Sequence, residues 1–207
     1  MRDNTLAREL IAMGHNAHLV PMYLPLQLDE ERVDKATPVC FGGINVYLQQ
    51  KYRFFRRLPR WADSFFNGRG LLKTVAKRSH LTSAAEQGEM SCSMLRLEES
   101  NLGKEVDKLV DWLARDGNPD IILLSNALLA GLVQELKRRL EVPVVCTFQG
   151  EDSFLDSLPK PWGNEAWKEM ALRVKGADML IAPSQYYGGV MESRLGLEPG
   201  SIEVIPN

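Results

Sequence analysis

The densest group of residues able to do chemistry is Gln149-Gly150-Glu151-Asp152, which directly follows the apolar run Val144-Val145-Cys146-Thr147-Phe148. Adjacent carboxylates can accept hydrogen bonds from sugar hydroxyls or move protons, and the Gln149 carboxamide can both donate and accept. Gly150 permits close approach of a ligand to the backbone. The catalytic candidates are therefore Gln149, Glu151 and Asp152, with Gly150 as a substrate contact. A plainer alternative stands beside this: Glu151 and Asp152 begin or cap the turn that follows. Ser184 and Asn126 pose the same choice. Each stands where a strand gives way to a helix, and there it can cap the helix or sit among exposed amides that attract phosphate or hydroxyl groups.

These residues act together only if the chain brings them to one place, and its pattern predicts that it does. Apolar runs at Ile121 to Leu124, Val142 to Thr147, Asp178 to Ala182 and Ile202 to Ile205 read as strands. Helical patterns alternate with them at Leu102 to Arg115, Ala127 to Leu140, Ala166 to Lys175 and Gln185 to Leu195. Almost continuous Val, Ile and Leu in strands that alternate with helices indicates a parallel sheet covered on both faces, a Rossmann-like doubly wound α/β fold. In such sheets ligands bind beyond the carboxyl ends of the strands. That rule selects Ser125 and Asn126, Phe148 to Asp152, Pro183 to Gln185, Pro206-Asn207, and Pro21 to Tyr23.

The first part of the chain is less regular. Asp3, Asn4 and Thr5 are N-cap candidates for a helix over Thr5 to Met13 that stops at Gly14, and Ala17 to Val20 reads as a strand. A doubly wound domain normally opens with a strand, so the first strand is expected to be missing. Tyr23 to Ser93 is broken by Pro25, Pro38 and Pro59, with short helical stretches near Ala62 to Phe66 and Leu71 to Arg78. Within it, Lys51-Tyr52-Arg53-Phe54-Phe55-Arg56-Arg57 is either a helix with packed aromatics and solvated arginines or a surface for acidic substrate or anionic lipid.

At 207 residues, one large domain spanning 1–207 is the expectation. A formal net charge of -2 argues against a nucleic-acid binder. Cys40, Cys92 and Cys146 form no CxxC pair and fit a reduced, cytoplasmic setting. His15, His18 and His80 have no ligand spacing, so no metal is expected. The motifs GxGxxG, GxxxxGK[ST] and GxSxG do not occur.

Five segments in order resemble the first domain of GT-B retaining glycosyltransferases of family four, also called group one: RDNTLARELIAMGHNAHLVPMY, FGGINVYLQQ at Phe41 to Gln50, PDIILLSNALLAG at Pro119 to Gly131, VPVVCTFQGEDSFL at Val142 to Leu155, and the tail Ala177 to Asn207. The resemblance implies the acceptor side of a cleft, facing a second domain that binds a nucleotide-diphospho-sugar. It implies hexosyl transfer with retention to a carbohydrate or other hydroxyl acceptor, with the nucleotide sugar as co-substrate and no other cofactor. By position, Arg2, Asp3 and Asn4 resemble the phosphate-side end of a glycine-rich loop. Gly42 and Gly43 resemble a loop near the acceptor pocket, and Ser184 a phosphate-side or interdomain position. Gln149 stands where many members carry a histidine, and a carboxamide cannot serve as acid or base at neutral pH.

Peripheral contact with the inner face of the membrane, through the run at Lys51 to Arg57, is a further implication. Because the donor half is expected to lie in a separate domain, the 207-residue chain is expected to be a fragment inactive by itself. The competing functions are a sugar-nucleotide epimerase of the same architecture and a non-catalytic Rossmann-like binding module.

Overall fold

The computed structural model describes residues 2–22, 83–97 and 102–207. Gly42, Gly43, Cys40, His80, the run Lys51 to Arg57 and the helical stretches near Ala62 and Leu71 lie outside the described residues. The chain forms two compact units, one of Met1–Leu81 with Lys104–Leu109 and one of Thr82–Gly103 with Val110–Asn207.

In the first unit, helix α1 spans Arg2–Ala12, three residues earlier than the sequence pattern predicts, with Asn4 and Ala7 buried. Asp3 therefore lies in the first turn rather than at the cap, where its charge favours the helix dipole. Ala17 to Val20 is not a strand; the one bridged residue here is Met22. None of the four side chains at 17–20 is buried, so the burial that favours a half-buried strand is missing.

The second unit opens with helix α2, Ala84–Leu95, which the apolar pattern alone does not reveal. Its start is fixed by a capping box: Ser83 Oγ accepts the Glu86 amide at 3.2 Å, and Glu86 accepts the Ser83 amide at 3.1 Å. Helix α3, Gly103–Trp112, whose stretch Lys104–Leu109 belongs to the first unit, continues into a π-turn at Leu113–Gly117 that ends on a left-handed Asn118. Val106, Leu109 and Val110 are its buried apolar residues, flanked by buried Leu102 before it and Leu113 after it.

Strand β1, Ile122–Leu124, leads to a 3-10 turn at Ala127–Leu129 and then helix α4, Leu132–Leu140. The single helix expected over Ala127 to Leu140 is thus interrupted at Gly131. A Cβ on Gly131 would collide with the backbone oxygen of Met94, so glycine permits the end of α2 to approach here. Strand β2, Val144–Thr147, is followed by helices α5, Glu151–Ser157, and α6, Trp162–Arg173. Strand β3, Met179–Ala182, helix α7, Gln185–Leu195, and strand β4, Ile202–Val204, complete the series.

The four strands pair in the order β1-β2-β3-β4, all parallel, with Leu124 opposite Cys146, Thr147 opposite Ile181 and Ala182 opposite Val204. This is the Rossmann-like mixed α/β fold predicted from the alternating pattern. Val144, Cys146, Ala182 and Ile202 of the strands are buried, as are Val133 and Leu136 of α4, Met170 of α6 and Met191 of α7. Helices α2 and α6 are joined by Arg96, whose guanidinium pairs with Glu165 at 2.7 Å and Glu169 at 3.0 Å. Those two carboxylates raise its pKa further above the usual arginine value. Among the described residues, no helix is long and apolar enough to cross a membrane.

Candidate functional site

Parallel register places the carboxyl ends of β1, β2 and β3 side by side, so the residues just beyond them share one rim. Thr147 Oγ1, buried near the end of β2, donates to the Leu124 carbonyl at 3.1 Å and ties the first two strand ends together. Phe148 N–H continues the ladder to the Ile181 carbonyl at 2.8 Å. The chain can then turn away because Gly150 adopts φ 96, a left-handed conformation that costs glycine little.

Glu151 follows as the first residue of α5 and is 5% exposed. Its Oε1 accepts the Ala127 amide at 2.9 Å, and its Oε2 accepts the Gln149 amide at 2.7 Å and the Tyr187 hydroxyl at 3.1 Å. Three donors offset the desolvation of this buried carboxylate. The Tyr187 oxygen in turn accepts the Gly150 amide at 2.9 Å and lies against the Asp152 amide. Burial, with the charges of Glu151 and Asp152 nearby, pushes the phenol well above the usual tyrosine range.

The candidates read from the sequence divide as follows. Gln149 and Gly150 are exposed and Asp152 is half-buried, all on the turn into α5. Asn126 caps the 3-10 turn after β1, its Oδ1 accepting the Leu128 amide at 3.1 Å. Ser184 caps α7, its Oγ accepting the Tyr187 amide at 3.2 Å. Asn126, Ser184 and the 149–152 turn thus meet around Glu151 and Tyr187. Arg2, Asp3 and Asn4 belong to the first unit; the Arg2 guanidinium pairs with Asp3 at 2.7 Å and Asn4 is buried.

Tyr187 is the participant that sequence reasoning passed over. Its only local signal is its place three residues after the cap Ser184, where a side chain in the first turn of α7 leans back toward the strand ends. Beyond the rim, Asp156 of α5 accepts from Trp167 Nε1 at 2.9 Å and from Arg194 at 2.6 Å, with the guanidinium 4.7 Å from the Trp167 ring centroid. This contact joins α5, α6 and α7 beside the site. Among the described residues, no group of three or more His, Cys, Asp or Glu side chains is placed to hold a metal ion.

The arrangement presents exposed hydrogen-bonding groups on a backbone fixed from beneath, which suits a polar, hydroxyl-rich ligand. Comparison with known proteins adds chemistry to this geometry. Neither a curated protein nor a solved structure matches the chain. The family model described as Glycosyltransferase Family 4 matches residues 95–207, which takes in the four strands and the entire rim of the second unit. With more than half of the 207 residues matched, the chain belongs to Glycosyltransferase Family 4.

Proposed function

We propose that the rim formed by Asn126, Gln149, Gly150, Glu151, Asp152 and Ser184 is the acceptor side of a hexosyltransferase that uses a nucleotide-diphospho-sugar and retains anomeric configuration. The observation that carries this reading is the meeting of polar groups from three adjacent strand ends inside the family-matched region. Gln149 can give and take a hydrogen bond with a sugar hydroxyl, and Asp152 can accept one. A fixed backbone beneath them holds the acceptor in line, which is where positioning contributes most to group transfer. Stabilising leaving-group charge falls to the donor-binding domain that the family resemblance implies. Arg2, Asp3 and Asn4 are the phosphate-side candidates, Gly42 and Gly43 further acceptor contacts, and cytoplasmic placement with peripheral membrane contact completes the reading.

The test is titration of the isotopically labelled 207-residue chain with the methyl gluco-, galacto- and mannopyranosides, followed by amide shifts. Shifts should cluster at Asn126, Gln149 to Asp152 and Ser184, and Gln149→Ala and Asp152→Ala should each weaken them. Shifts confined to other regions, or none at all, would overturn the reading.

A further inference from the structure

Helix α5 has no side-chain cap of its own, because its N-cap is Gly150. Helix starts leave amides without intrahelical partners. Here the nearby Tyr187 hydroxyl, 37 residues along the chain from Gly150, accepts the Gly150 amide and lies against that of Asp152. It spends its own proton on Glu151, which holds Gln149 and Ala127. One phenol therefore touches both chemical halves of the rim: the turn bearing the exposed ligand-facing groups, and the carboxylate that fastens it.

We infer that Tyr187 is a positioning residue for ligand binding at this rim, acting as a cap in trans that holds the 149–152 turn in its binding conformation. The inference rests on the acceptor reading of the rim and adds a residue that works through Gln149 and Asp152 rather than by touching ligand. Tyr187→Phe keeps the ring and removes only the hydroxyl, so packing and hydrogen bonding are separated within one substitution.

The experiment uses the labelled 207-residue chain as wild type and as Tyr187→Phe. Amide hydrogen exchange is read at Gly150 and Asp152, with the core strand amides of Cys146 and Leu180 as controls. Binding of the three methyl hexopyranosides is measured alongside. Loss of one hydrogen bond should speed exchange at Gly150 about tenfold, with a smaller rise at Asp152 and unchanged protection at Cys146 and Leu180. Hexoside affinity should fall about three- to tenfold. Unaltered exchange at Gly150 would overturn the inference whatever the hexosides do. Equal acceleration at the control amides would reduce Tyr187 to a purely structural part and overturn it too. Faster Gly150 exchange with undiminished hexoside affinity would likewise remove the positioning role. If wild type binds no hexoside, the acceptor reading falls and the role in binding with it, while the exchange data still decide whether Tyr187 holds the turn.

Discussion

Glu151 Oε1 accepts the Ala127 amide at 2.9 Å across 24 residues, fastening the turn after β1 to the first residue of the helix after β2. The bond is buried and joins two segments that share no covalent neighbourhood. It makes Glu151 the residue on which the rim geometry most directly depends.

Glu151→Ala should therefore destabilise the second unit by about 2–4 kcal/mol, since it strands the amides of Ala127 and Gln149 and the proton of Tyr187. Urea unfolding of the variant against wild type measures this. Glu151→Gln keeps the shape but turns an amide donor toward one of the protein donors, so a smaller loss is expected. Equal stability of Glu151→Ala and wild type would contradict the role assigned to the carboxylate.

Two glycine substitutions should move in opposite directions. Gly131→Ala forces a Cβ against the Met94 carbonyl and should cost about 2 kcal/mol or more. Gly189→Ala, within α7 with open space around its Cβ position, should stabilise by about 0.5–1 kcal/mol through helix propensity. Thermal melts of the pair, read at one wavelength, give both signs.

At the opposite end of the sheet, Asp178 accepts from Lys137 at 2.8 Å and from the Val144 amide at 2.8 Å, and these bonds hold its pKa below the ordinary aspartate value. A depressed folded-state pKa contributes stability above the unfolded value and loses it as pH falls through the folded one. The contribution is therefore present at neutral pH and is lost progressively as pH falls below about 4. Asp178→Asn should flatten that acid limb in a pH series of urea midpoints. An unchanged slope would count against the pairing.

Tyr187 supplies the alkaline counterpart. Its raised pKa means that the unfolded phenol ionises first, so stability is retained below about pH 10 and declines above it. Tyr187→Phe should remove this part of the alkaline decline, and a midpoint series from neutral pH upward would show whether it does.

Cys146 is fully buried, and desolvation pushes its thiol up to about 12; Cys92 is similarly buried and raised to about 11. Only the thiolate is a good nucleophile. Iodoacetamide followed by peptide mapping should leave both unmodified in native protein and alkylate both in denaturant. Native-state alkylation of Cys146 would contradict its burial.

The strands were legible because each is a short Val, Ile and Leu run bounded by Pro, Asp or Gly, and their order made the rim legible too. Three elements were not. Helix α5 was obscured because EDSFLDS carries few apolar residues, and α2 because AAEQGEMSCSML is held by its capping box and by packing on α6. Ala17 to Val20 has a strand-like composition without the burial that would fix it as one. At the rim, Asn126 and Ser184 were legible as caps, since capping is local. The Glu151 network was not: besides the Gln149 amide two residues back, its partners lie 24 and 36 residues away, and no sequence spacing marks Tyr187 as their meeting point.

Those separations also bear on when the rim can form. As the chain emerges from its N-terminus, Glu151 meets Ala127 and Gln149 once β1 and β2 are out, yet Gly150 still waits for α7 to deliver the phenol. Closing so long a segment carries an entropic cost that must be met before the contact rewards it. Sheet completion and site completion are consequently coupled in time, and a nascent chain halted within α6 would possess the polar residues of the rim without the geometry that makes them a site.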